Sequence, residues 1–214
     1  PDVVLQLMAQ AVEECGCADK MADCLDCASS EMYDRHTDTY LYGSRRVSRE
    51  ELIDHAAELI RKYPILFIED LLAEDDWDGF VQAHQKLKGV KLIGDDFIVT
   101  NRRRLQKAYE RHALDGFILK PNQAGTITEA LDTHAYAQSN GLLTIPSGRS
   151  GGAVGDIVAD LALALEAPIS KNGAPKSGER LDKINSLLRA SSDNPASHLW
   201  NLTEVFYPLC LQHA

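Results

Sequence analysis

Ile65-Leu66-Phe67-Ile68-Glu69-Asp70 decides the fold. Four apolar residues in succession, with no polar residue alternating between them, describe a strand covered on both faces, as in a parallel sheet flanked by helices. The same form recurs along the chain. Before it runs the stretch ending Cys24-Leu25-Asp26-Cys27; after it come Val90 to Ile93, Gly116-Phe117-Ile118-Leu119, Leu142 to Ile145 and Pro168 to Ser170. Helix-length segments separate these runs. Val3 to Cys15 carries a stripe of Val4, Leu5, Met8, Ala11 and Val12, and further helices are expected over Asp75 to Leu87, Asn101 to His112, Asp156 to Leu165 and Glu179 to Arg189. Ser48 and Glu51 form a capping box that opens a helix reaching about Lys62, and Thr126 with Glu129 opens another that runs to Ser139. Tyr40-Leu41-Tyr42-Gly43 reads as a short hairpin insert.

Strand followed by helix, about six times, is either an open doubly wound sheet or part of a (β/α)8 barrel. The strand ends separate the two. An open sheet gathers its ligand at one switch point, whereas a barrel draws polar groups from many strand ends onto one rim. Here Asp26, Glu69, Asp95, Lys120, the Ser147 to Ser150 loop and Lys171 follow six successive strands. The expected fold is therefore α/β, an incomplete (β/α)8 barrel occupying residues 1–190. A closed barrel needs eight strands. Because bare sheet edges invite aggregation, a second chain or a missing N-terminal segment is expected to complete it, and the completed unit could pair as a homodimer. Ser191-Ser192-Asp193-Asn194-Pro195 ends the repeats. In the tail, 191–214, Leu199, Trp200, Leu202, Val205, Phe206 and Leu209 could pack on the barrel or a partner.

Composition narrows the class. The 214 residues are 44% hydrophobic and 25% charged, enough for one substantial core or two modest ones. A net charge of −10 argues against nucleic-acid binding, since phosphate backbones are held by surplus Lys and Arg. No apolar run approaches the roughly 18 residues of a membrane span, and the first residues show no basic segment followed by an apolar h-region, so membrane and secretory readings find no support. A cytoplasmic protein is expected. The first residue is Pro rather than Met, which reads as processing or as a piece of something longer. Cys15, Cys17, Cys24 and Cys27 crowd too closely for a structural zinc site, with Cys210 far away, and are read as reduced thiols. None of the seven histidines stands at a strand end, so none receives a catalytic role.

Three carboxylates followed by cations and a hydroxyl suit a divalent metal that faces an anionic substrate. Taken singly, an acid at a strand end is a helix cap or a solvated rim, and a rim lysine is surface charge. Their sequence context reverses that reading. Leu25-Asp26-Cys27-Ala28-Ser29-Ser30-Glu31-Met32-Tyr33, Ile68-Glu69-Asp70 with Glu74-Asp75-Asp76-Trp77, Gly94-Asp95-Asp96, Leu119-Lys120-Pro121-Asn122-Gln123, Arg149-Ser150-Gly151, Ala159-Asp160-Leu161 and Lys171-Asn172-Gly173-Ala174-Pro175 occur in order. Together, over roughly Val3 to Arg189, they resemble the C-terminal barrel portion of the enolase (phosphopyruvate hydratase) family.

That resemblance implies a glycolytic lyase dehydrating 2-phosphoglycerate to phosphoenolpyruvate. It implies Mg2+ on Asp26, Glu69 and Asp95, a set of hard oxygen ligands suited to that ion. Lys120 matches the family's base and Lys171 the lysine that stabilises the enolate, while Ser147, Arg149 and Ser150 match the phosphate-binding loop. Asp70 and Asp96 read as supporting or capping carboxylates. The chain also departs from the pattern. Gly148 and Gly152 stand where the family has a histidine and a glutamate, Pro121 and Ala124 alter the lysine-asparagine-glutamine motif, Leu71-Leu72 replaces a Pro-Phe pair, and Lys176 and Gly178 disturb the segment after Lys171. The family's general acid and lid lie upstream of Pro1. Two other readings are therefore carried: a catalytically weakened relative acting as a structural or interaction subunit, and an enolase-like enzyme whose glycine loop makes room for another phosphorylated or phosphonate acid.

Overall fold

The computed structural model describes residues 2–206. These fall into two compact units, one of residues 2–97, 107–115 and 206, the other of 98–106 and 116–205. In the first, helix α1 (Asp2–Glu14) leads to strand β1 (Asp23–Asp26), a 3-10 turn (Ser29–Met32), and a small antiparallel sheet of β2 (Tyr33–Asp34), β3 (Thr39–Tyr42) and β4 (Arg45–Val47). Helix α2 (Arg49–Lys62), strand β5 (Ile65–Glu69), helix α3 (Trp77–Lys86) and strand β6 (Lys91–Gly94) follow. β1, β5 and β6 pair in parallel in that order, the small β2–β4 sheet being inserted between β1 and β5 along the chain. Helix α4 (Arg102–Glu110) bridges the unit boundary along the chain. The second unit contains β7 (Gly116–Leu119), α5 (Pro121–Ala124), α6 (Ile127–Ser139), β8 (Leu143–Pro146), α7 (Val158–Ala164), α8 (Gly178–Asp193) and most of α9 (Leu202–Phe206), with β7 and β8 parallel. Consecutive parallel strands joined by helices make this an α/β chain with the winding of an incomplete (β/α)8 barrel.

The expected two-sided burial is present. In β7 every residue is buried, and Phe117, Ile118 and Leu119 are completely enclosed. In the first unit Phe80 stacks on Phe97 with ring centroids 3.8 Å apart. The capping box of α2 forms in full: the Glu51 N–H donates to Ser48 Oγ at 3.2 Å, and the Ser48 N–H donates to the Glu51 carboxylate at 2.7 Å. The box expected at α6 forms by half. Thr126 Oγ1 accepts from the Glu129 N–H, but the Glu129 carboxylate takes the Thr126 hydroxyl proton instead of reaching the backbone.

Three expectations change. Pro168 to Ser170 is not a strand; the sixth station is a single bridge between Ser147 and Lys171. Pro168 has no N–H to give a ladder, so pairing begins only where the Lys171 N–H reaches the Pro146 carbonyl at 2.9 Å. The hairpin of Tyr40 to Gly43 gains a third strand, β2. Of the stripe on α1, Leu5 alone is buried. In the tail, Phe206 is fully buried and Leu199 is 95% exposed, while Leu209 lies outside the described residues. Among the described residues no helix is long and apolar enough to cross a membrane.

Candidate active site

In the first unit the carboxyl ends of three parallel strands bring acids into phase. Asp26 pairs in register with Glu69, and Glu69 with Ile93, so Asp95, two residues on, repeats the same face. The backbones stay zipped beyond the strands, with the Cys27 N–H on the Glu69 carbonyl and the Asp70 N–H on the Ile93 carbonyl. Asp26 is exposed, whereas Glu69 and Asp95 are buried.

Asp70 organises this rim. Its backbone is left-handed, φ 43°, a conformation that Asp tolerates better than most residues. The turn aims its carboxylate at the next loop, where it accepts the Asp95 N–H at 2.9 Å and the Asp96 N–H at 2.7 Å. Burial pushes the Asp70 carboxyl up to about 7; those two N–H donors pull the other way, and the charges of Asp95 and Asp96 push it further up. Ligand oxygens of Asp70, Asp95 and Asp96 all lie within 4.8 Å of one another. Asp70 and Asp95 are buried and Asp96 is exposed, and three hard oxygen donors this close together fit a divalent cation. Of the expected ligand set, Asp95 belongs to this gathering; Asp26 and Glu69 line the adjoining strand ends. Cys27 is no thiolate candidate: burial and then the charges of Asp26, Asp70 and Glu69 push its thiol up to about 12.

The loop after β5 also borders an open cavity of about 620 Å³ lined by Ser30, Tyr33, Glu74 and three arginine-aspartate pairs. These pairs are Arg35 with Asp75, Arg49 with Asp76 at 2.6 Å, and Arg111 with Asp78. Asp26, Glu69 and Asp95 do not line it.

The second unit carries the cations. Leu119 pairs with Pro146, which sets Lys120 level with Ser147, and Ser147 bridges to Lys171. The three stand in one row. At a strand spacing of about 4.8 Å, the Lys120 and Lys171 backbones are roughly 10 Å apart, close enough for both side chains to meet one small anion between them. Lys120 is buried. Its N–H donates to Thr100 Oγ1 at 2.9 Å, and the Thr100 hydroxyl lies within hydrogen-bonding distance of both the Ile118 carbonyl and Gln123 Oε1. Val99 and Thr100 both adopt left-handed backbones, φ 48° and 50°, which β-branched residues resist. Sequence reasoning gave Thr100 no role, since nothing in a Val-Thr pair announces a left-handed turn. Ser147 is buried, and Arg149 and Ser150 are exposed on the following turn. The Gly148 N–H donates to the Lys171 carbonyl at 3.0 Å, tying that turn to the second lysine.

Acids in the first unit and lysines in the second, each at the carboxyl ends of parallel strands, are the placement of polar groups found in a barrel-type α/β protein. The particular family follows from comparison with known proteins. Residues 1–204 match the family model described as enolase, C-terminal TIM barrel domain, and the chain belongs to that family. It is 42% identical over 192 residues to an enolase of Methanococcus maripaludis (strain C7), covering 90% of this chain and 45% of that protein. Enolases of Thermococcus gammatolerans and Sulfolobus acidocaldarius are 41% and 40% identical, each over 88% of this chain and 45% of the relative. The chain thus spans under half the length of these relatives.

Proposed function

We propose that this chain is the barrel portion of an enolase-type lyase that dehydrates 2-phosphoglycerate to phosphoenolpyruvate, completed by an upstream segment or a partner chain that supplies the general acid and lid. The observation that carries the reading is the level row of Lys120, Ser147 and Lys171, with family membership behind it. In this reading Lys120 removes the proton α to the substrate carboxylate. Negative charge then develops on that carboxylate, and Lys171, from the opposite end of the row, faces it with a fixed cation. Arg149, Ser150 and Ser147 take the phosphate. Asp26, Glu69 and Asp95 would hold Mg2+, with Asp70 fixing the Asp95 loop; the ion would supply further positive charge where the carboxylate becomes a dianion. The hydroxyl leaves as water on the proton of the general acid.

Magnesium-dependent formation of phosphoenolpyruvate, followed by absorbance, tests this on the chain joined to its N-terminal partner or segment. Loss of turnover in K120A and in K171A is expected. No turnover by the completed wild-type assembly, beside intact magnesium binding, would reject the reading and favour the second, a weakened relative kept as a structural or interaction subunit, which Gly148 motivates. A different, bulkier acid has less support. A Cβ on Gly148 would meet Lys183 Cε at 3.0 Å, so that glycine opens no free volume.

A further inference from the structure

Lys183, on α8, is a cation with 3% of its surface exposed, within the unit that carries the Ser147 to Ser150 turn. Burying an ammonium is costly unless it is paired and hydrogen-bonded. Lys183 is both: its Nζ lies 2.5 Å from Asp156 Oδ2 and donates to the Glu179 carbonyl at 2.9 Å. The pair lies against the loop glycines. At Gly148 a Cβ would meet Lys183 Cε at 3.0 Å, Nζ at 3.6 Å and the Lys171 carbonyl at 3.7 Å; at Gly152 it would meet Asp156 Oδ2 at 3.2 Å. Each half of the ion pair therefore crowds the position a Cβ would take at one of the two glycines, the Arg149 carbonyl adding a contact at 3.3 Å at Gly152. Gly152 is itself closed onto the loop by its N–H, which donates to the Arg149 carbonyl at 3.2 Å.

We propose that the Asp156–Lys183 ion pair is a positioning element for the anion-binding loop, filling the volume above Gly148 and Gly152 and holding the Gly148 backbone against Lys171. Lys183 acts through the loop. Its methylenes pack where a residue-148 side chain would stand, and its charge anchors Asp156 beneath residue 152. The loop thereby keeps Arg149 and Ser150 at a fixed height relative to Lys171 without a side chain of its own at either glycine. Its effect on substrate rests on the function proposed above; its effect on the loop does not.

The test uses the full chain and the variants K183M, D156N and K183M/D156N, the double variant removing both charges of the pair together. Amide hydrogen exchange is followed at Gly148, with Phe117 in β7 as the reference. In the double variant Gly148 is expected to exchange about tenfold faster or more, with Phe117 unchanged, as for the loss of a residue that orients a binding group. Unchanged exchange at Gly148, or equal acceleration at both amides, overturns the proposal. Affinity for 2-phosphoglycerate in magnesium, read by calorimetry on the completed assembly, is expected to fall about tenfold in the double variant while its thermal midpoint stays near wild type. Unchanged affinity in a folded double variant also overturns it. Absence of binding by the wild type rejects the proposed function instead, and the exchange measurement then decides the loop role alone.

Discussion

Thr100→Val removes one oxygen from a buried network and leaves the side-chain shape nearly intact. The lost oxygen is the acceptor for the Lys120 N–H at 2.9 Å, and its proton serves the Ile118 carbonyl or Gln123 Oε1. Thr100 is 1% exposed, so water does not readily replace it. An unsatisfied buried N–H costs about 1–3 kcal/mol. Val resists the left-handed backbone as Thr does, so that contribution is nearly common to both proteins. The expected net loss is about 2 kcal/mol, a fall of roughly 4–8 °C in the thermal midpoint for a chain of this size. Thr100→Ser is the control: it keeps the oxygen and drops the branch that the φ of 50° disfavours, so it is expected within about 0.5 kcal/mol of wild type. Melting curves and exchange of the Lys120 amide read both variants. Equal stability of the Val and Ser variants, or a Lys120 amide that exchanges no faster in Thr100→Val, would refute the assignment of Thr100 as the group that seats the lysine.

Asp70→Ala takes away the acceptor for the Asp95 and Asp96 N–H groups, and magnesium affinity by calorimetry is expected to fall about 10- to 100-fold. Ser48→Ala removes the acceptor of the Glu51 N–H while the Ser48 N–H keeps its bond to the Glu51 carboxylate, so half of the α2 capping box is lost at a cost of about 1 kcal/mol, read as a shift of the denaturation midpoint. Asp115 gives a pH signature: burial raises its carboxyl, but the His84 and Leu92 hydrogen bonds and the charges of His84 and Lys91 bring it below the usual value. A lowered folded pKa stabilises above the ordinary Asp value, about 3.9, and that gain disappears as pH falls through the folded value. Asp115→Asn is therefore expected to melt lower than wild type at pH 6, with the gap narrowing below pH ~4; a gap independent of pH would refute the charge contribution.

What was legible in the sequence is what repeats along it. An unbroken apolar run reports burial on both faces, and Gly116 to Leu119 reads as β7 to the residue. The Ser48–Glu51 box is a local pattern three residues wide, and both its bonds form. Strand-end polar residues follow directly from such runs, which is why Asp26, Glu69 and Lys120 emerge with their strands. Long-range partners left no local trace. The left-handed turns at Asp70 and Thr100, and the neighbours those turns reach, depend on residues about 20 or more positions away, as in the bonds from Asp95 to Asp70 and from Lys120 to Thr100. The sixth strand failed for the opposite reason: its apolar run was real, but a proline stood where a ladder needed a donor.

The two glycines show why a departure read from sequence cannot be converted directly into lost function. A missing side chain suggests a hole, and a hole in an anion-binding loop suggests either a relic or a larger ligand. Lys183 and Asp156, from elsewhere in the same unit, instead stand against these positions, 3.0 and 3.2 Å from where a Cβ at Gly148 or Gly152 would lie. A loop supported from below in this way need not carry its own side chains to keep Arg149 and Ser150 oriented. An uncompensated relic would be expected to leave that space empty, since a buried ion pair is expensive to maintain and often no better for stability than apolar packing. Its presence beside the two loop glycines argues that the loop's geometry is supported from outside the loop.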